Sequence, residues 1–186
     1  MFKKKIAVAL MSLTATVSMT SQVFAAPTSA SLGVDDELQQ YNQWCWAASS
    51  VSILDYLGTD ITQLQFVTAV KGQRENSPAT DSEVQDGMEE FGYQSTLVTD
   101  MISWDSVKTE IGTNERPIYA GWSWKDGTGG HAVVLDGYDD GDDNYVEYMD
   151  PGYSDHFIEE FSWFRGKYKS TSDHIWDGTI YKIKEQ

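Results

Sequence analysis

The chain predicts an α+β fold with its helical and sheet halves segregated along the sequence, and three observations carry that prediction. Apolar residues recur at helical spacing, with glycine stops, as far as Ile111. Beyond Pro117 the runs are rich in β-branched and aromatic residues and are separated by Asp- and Gly-rich turn clusters. No internal repeat and no linker-like stretch divides the chain. Helices first and antiparallel strands second is the order of an α+β protein, not of the alternating α/β class.

Residues 1–25 read as an address. Lys3, Lys4 and Lys5 precede an apolar run over residues 6–13, and Val23-Phe24-Ala25 gives the small-x-small pattern of a signal-peptidase site, with the cut expected after Ala25. The run is too short, and too interrupted by Thr14, Thr16 and Ser18, for a membrane span. Residues 26–36 are small and polar and read as a flexible leader. Residues 37–186 are expected to form one domain, large enough to bury a core without cross-links.

A helix is expected from about Cys45, with Trp46, Ala47, Val51, Ile53, Leu54 and Leu57 on its apolar face and Gly58 as its stop. Residues 61–70, ended by Gly72, give a second. Residues 82–91 give a third, with Asp81 available as its cap. A short strand at 96–98 and a fourth helix at 104–111 complete this half. Strands are expected at 117–124, 131–138, 145–149 and 179–183; residues 155–164 lean towards strand.

Charge narrows the function. Thirteen Lys and Arg stand against 29 Asp and Glu, a formal net charge of −16, and loss of the three leader lysines takes it to −19. Such a surface repels phosphate backbones and anionic lipid, so nucleic acid and membrane are not expected partners. The chain has one cysteine. In an exported protein a lone thiol points either to intermolecular pairing or to a reactive group.

The surroundings of Cys45 favour the reactive group. A thiol at the first turn of a helix lies against unpaired backbone N–H groups that favour its charged form. Acyl chemistry then needs an imidazole, a group to orient it and donors for an oxyanion. His131 follows Gly129-Gly130 and opens a strongly apolar strand, whereas His156 and His174 sit among acids, where a solvated surface histidine is the ordinary reading. Asp150 ends the next strand and can orient His131 across an antiparallel pair. Gln39 can donate to the oxyanion; Gln40 and Gln43 are rivals that spacing does not exclude.

These stretches resemble the papain-like cysteine peptidases. QQYNQWCWAAS, ending at Ser49, is similar to their active-site segment, and in particular to the bacterial branch that includes plant-pathogen effector proteases and bacteriocin-leader peptidases. GGHAVVLDGYD, starting at Gly129, resembles the family's histidine strand, and YMDPG, starting at Tyr148, its third motif, with Asp150 where papain has Asn. The resemblance implies a compact papain-like fold, its central helix packed on the sheet half. It also implies Cys45 as nucleophile, His131 as base, Asp150 as orienting group and Gln39 as oxyanion donor. The chain departs from papain in lacking the upstream disulfide cysteine and in spacing Cys45 from His131 by only 86 residues.

The expected protein is therefore a monomeric, extracellular bacterial peptidase acting on polypeptide. The same residues serve an acyltransferase or an isopeptide or amide hydrolase, and a non-catalytic secreted binding protein or toxin on this scaffold is the reading of another class. No cofactor or metal is implied, since His, Cys and acids do not cluster at ligand spacing. The acidic turn at 139–144 lacks the spacing of a calcium loop. Of the aromatics Trp122, Trp124, Tyr153, Trp163, Phe164 and Trp176, most are expected in the core, with Trp122 or Trp124 close enough to shield His131.

Overall fold

In the computed structural model, which describes residues 26–167 and 170–186, helix α1 (Cys45–Tyr56) lies across an antiparallel sheet. The leader assigned to residues 1–25 lies outside the described residues. Helices α2 (Gln63–Lys71) and α3 (Asp81–Glu90) pack beside α1. The strands are β1 (Ser29–Ser31), β2 (Tyr93–Val98), β3 (Ile118–Trp124), β4 (Gly130–Asp140), β5 (Asn144–Asp150), β6 (Asp155–Glu160) and β7 (His174–Glu185). Their order is β2-β7-β3-β4-β5-β6, with β1 paired to β4. Among the described residues no helix is long and apolar enough to cross a membrane.

Alternation along the strands builds a core on each face. Ala132 and Val134 of β4 join Tyr119, Met149 and Ile180 against Trp46, Ala47, Ile53 and Leu54 of α1. The intervening Val133 and Leu135 face the other way, with Ile118, Trp122, Tyr148, Phe164 and Trp176. Helix α4 (Trp104–Lys108) and the helical turn α5 (Phe161–Phe164) cover that second face. The helical half thus meets the sheet on both faces, through α1 on one and α4 on the other.

Several elements differ from the sequence expectation, each for a physical reason. Residues 26–36 are not a free leader: Ser29, Ala30 and Ser31 pair with β4 at Asp139, Tyr138 and Gly137, and the Tyr138 hydroxyl donates to the Pro27 carbonyl at 2.8 Å. The cap of α3 is Thr80 rather than Asp81, because Thr80 and Glu83 close a reciprocal capping box that leaves Asp81 as the first helical residue. Helix α4 ends at Lys108 and passes into a π-helical turn, Thr109–Thr113, in which buried Glu110 pairs with Arg116 at 2.8 Å. Strand β7 begins five residues early, since it pairs with β3 from His174 onward.

Candidate active site

The nucleophile position is set by what anchors the start of α1. Trp44, its cap residue, is 1 % exposed and donates its indole N–H to the Glu75 carbonyl at 2.7 Å, while Trp46 donates to the Ser77 carbonyl at 3.1 Å. The two indoles pin the helix end to the 75–77 loop. Helices α2, α3 and α4 are each capped by a threonine or serine side chain, but α1 has no side-chain cap and no acid in its first turn. Its first-turn N–H groups therefore keep their preference for negative charge beside Cys45.

His131 faces Cys45 from the sheet. It pairs with Trp122 across β3 and β4, and the residue before it must be glycine there: a Cβ at Gly130 would collide with the Trp122 carbonyl oxygen. One turn into α1, Ser49 Oγ donates to the Ala132 carbonyl at 3.1 Å. Ser49 lies four residues from Cys45, on the same helix face, and Ala132 follows His131, so this buried bond fixes the helix against the strand at the site. The sequence reading missed it; the clue available was a serine one helical turn after the cysteine.

The predicted orienting group is in place. His131 Nε2 bonds Asp150 Oδ1 at 2.6 Å, and the same oxygen accepts the Gly152 backbone N–H at 2.8 Å. Burial works against charge on the ring, but hydrogen bonds to Asp150 and Cys45, with their charges, outweigh it and raise His131 from the ordinary 6.5 to about 9. With Nε2 engaged by Asp150, Nδ1 is the nitrogen left for Cys45. Trp124 stacks along the imidazole with ring centroids 6.1 Å apart and planes at 12°, so of the two tryptophans it is the one aligned with the ring.

Gln39 lines the cleft with Cys45 and His131. Its backbone N–H donates to the Pro151 carbonyl at 2.9 Å, tying it to the Asp150 turn, and its amide donates to the Tyr41 carbonyl at 2.9 Å. The second amide hydrogen has no hydrogen-bond partner among the described residues. Gln40 instead lines a separate depression with Asp35, Asp36 and Asp60, whereas Gln43 also borders the catalytic cleft.

The other two histidines are not solvated surface residues. His174 is 1 % exposed, stacks on Trp122 at 3.8 Å, and bonds the Phe164 carbonyl through Nε2 at 2.9 Å; burial lowers its pKa. His156 bonds Asp136 at 2.9 Å and Asp36 at 3.0 Å, away from Cys45. Of the six aromatics, Trp122, Phe164 and Trp176 are buried and Tyr153 is exposed. In the acidic hairpin, Asp140 takes the Trp104 indole N–H and Lys108, each at 2.8 Å. Among the described residues no group of three or more His, Cys, Asp or Glu is placed to hold a metal ion.

Comparison with known proteins bears on the family and the fold. The family model of the papain-like cysteine protease AvrRpt2 matches residues 28–169, well over half of the chain. No match to a curated protein was found. Among solved structures, the peptidase domain of the Streptococcus ABC transporter ComA superposes with a TM-score of 0.59 at 13 % identity, covering 82 % of this chain and 99 % of that one. A double glycine motif protease from an AMS/PCAT transporter, in complex with the leader peptide, gives 0.60 at 18 % identity over 84 % and 95 %. A putative C39-like peptidase from Bacillus anthracis gives 0.60 at 11 % over 86 % and 100 %. At these identities the structural likeness speaks for the fold, while the family match speaks for descent. The chain belongs to the papain-like cysteine protease family represented by AvrRpt2, and its enzyme class is that of a cysteine peptidase.

Proposed function

We propose that the chain is a secreted bacterial enzyme that hydrolyses peptide bonds through Cys45, His131 and Asp150. The observation that carries this reading is the 2.6 Å bond from His131 to Asp150, on an imidazole that lines one cleft with Cys45 and whose proton affinity Asp150 and Cys45 raise, to a pKa of about 9. His131 takes the thiol proton, and the Cys45 sulfur attacks the scissile carbonyl. Gln39 and the Cys45 backbone N–H stabilise the oxyanion. The C–N bond breaks as His131 returns the proton to the leaving amine. Water, deprotonated by His131, then releases the acyl group and restores the thiol. Asp150 stays ionised and fixes the tautomer and tilt of the ring.

The substrate is polypeptide; the AMS/PCAT relative is a protease in complex with its leader peptide. The working form is a monomer, exported by residues 1–25 and begun at Ala26 after cleavage. The test is mass spectrometry of a peptide mixture incubated with the mature protein, with Cys45→Ala as control and an added primary amine as competing acceptor. Carboxylate-ended products absent from the control are expected. Amine-capped products would replace hydrolysis by acyl transfer, and no product at all would favour the binding-protein reading. N-terminal sequencing of exported protein checks the cut.

A further inference from the structure

The cleft, about 730 Å³, is lined by Asp81 and Asp177 as well as by Cys45 and His131. Asp81 is the first residue of α3, and its carboxylate reaches across to the sheet at Gly121 of β3 and Gly178 of β7. A Cβ at Gly121 would lie 3.0 Å from Oδ1, and one at Gly178 would collide with Oδ2. Any other residue at 178 would push this acid out of its place. Strand β7 therefore carries a glycine, unfavourable in a strand interior, where the carboxylate arrives.

Helix stabilisation does not account for that placement. Thr80 already caps α3, and an acid in the first turn gives its dipole benefit while pointing into water. Asp81 makes no side-chain hydrogen bond among the described residues. Burial, and then the charge of Asp177, hold its carboxyl above the ordinary 3.8. Asp177 is exposed and accepts the Ser123 hydroxyl at 3.1 Å. The lining of the cleft includes these two acids and no lysine or arginine among the described residues. Tyr119, buried in the cleft wall, has its hydroxyl pKa raised by burial and then by the charges of Asp81 and Cys45, so acid and nucleophile both act on one ring. A cation entering there would relieve the repulsion between the two acids.

We propose that Asp81, flanked by Asp177, forms a specificity subsite of the cleft that selects a lysine or arginine side chain of the polypeptide substrate close to the scissile bond. This rests on the peptidase reading above. The chain's formal charge of −16 acts in the same direction, drawing basic segments to the surface before they reach the cleft.

The test is digestion of a proteome-derived peptide library, prepared with a glutamyl endopeptidase so that lysine and arginine remain internal. Residues are counted on both sides of every cut. Wild type is expected to enrich lysine and arginine about tenfold or more at one position near the cut, as a desolvated charge pair demands. Asp81→Asn is expected to erase that enrichment, and Asp177→Asn to weaken it. A matched pair of peptides carrying lysine or acetyl-lysine at that position, cleaved by wild type alone, keeps the test standing if Asp81→Asn does not fold. Cuts without basic preference, or a preference that survives Asp81→Asn in the folded protein, overturn the subsite and leave the peptidase reading intact. No cut above the Cys45→Ala background overturns both.

Discussion

Two histidine–aspartate pairs stand on the same sheet and share β4, which gives the histidine to one and the acid to the other. In one, His131 on β4 bonds Asp150 on β5 at 2.6 Å beside the uncapped start of α1. In the other, Asp136 on β4 bonds His156 on β6 at 2.9 Å, and His156 bonds Asp36 at 3.0 Å. The first pair has a thiol on its free side and opens on a cleft. The second has a carboxylate there instead, and Asp136 is 0 % exposed, its Oδ1 buried and without a hydrogen-bond partner among the described residues. A histidine and an acid within hydrogen-bond reach are thus insufficient for acyl chemistry. What separates the pairs is the third group and the room for a substrate.

The largest expected effects lie at the first pair. Cys45→Ala and His131→Ala are each expected to lower kcat/KM by about 10⁴-fold or more, because members of one nucleophilic unit do not act separately. At pH 6, His131→Ala is also expected to slow alkylation of Cys45 by iodoacetamide by about tenfold or more. Equal rates in the two proteins would remove His131 from the mechanism.

Next in size is Asp150. The imidazole must hold a proton to release the amine, and its pKa is about 9, so kcat/KM is expected to fall as pH rises past that value. Asp150→Ala removes the main group that raises it. The alkaline limb should move to lower pH, and the rate should fall about 10²–10³-fold. Asp150→Asn retains an oxygen for Nε2–H and for the Gly152 N–H, so its loss should be nearer tenfold, while the limb still moves because the charge is gone. A limb that stays near 9 in both variants would assign it to another group.

The first pair was legible in the sequence and the second was not, for a reason visible in particular residues. Cys45 opens an apolar helix that Gly58 stops, and His131 and Asp150 end neighbouring strands joined by one hairpin, so short-range pattern brings them together. His156 finds Asp136 across two strands and Asp36 from 120 residues away, and nothing local announces that contact. Asp81 was misread because two capping signals overlap, and the Thr80–Glu83 box wins. The expected strand at 179–183 starts after Gly178, a residue unfavourable inside a strand, but the sheet accepts that glycine where Asp81 packs against it. Residues 29–31 carry no periodicity at all, and their strand exists because the far end of β4 had an edge to fill.

The second pair should show itself in stability rather than rate. Burial, against the pull of His156, raises Asp136 from the ordinary 3.8 to about 7. His156 is raised too, since Asp136 outweighs its burial. Both groups bind a proton more tightly folded than unfolded. The contribution of Asp136 is therefore complete below about 4 and is lost as pH rises through 7, while that of His156 is complete below 6.5 and is lost only as pH rises above it. Asp136→Asn removes the titration, so the wild-type Tm should decline relative to this variant across that window. Parallel Tm curves would mean that Asp136 is ionised throughout.

The smallest effect expected is that of His156→Ala on chemistry. Its ring approaches neither Cys45 nor the lining of the catalytic cleft, so kcat/KM on a cleaved peptide should stay within about threefold of wild type. Stability should nevertheless fall by about 1–3 kcal/mol, because Asp136 loses its only side-chain partner among the described residues while remaining buried. The two readouts together make this the sharpest discriminator between the pairs. A rate loss matching that of His131→Ala, in a protein of unchanged Tm, would show that the second pair reaches the reaction after all. The division of the sheet into a chemical end and a structural end would then have to be redrawn.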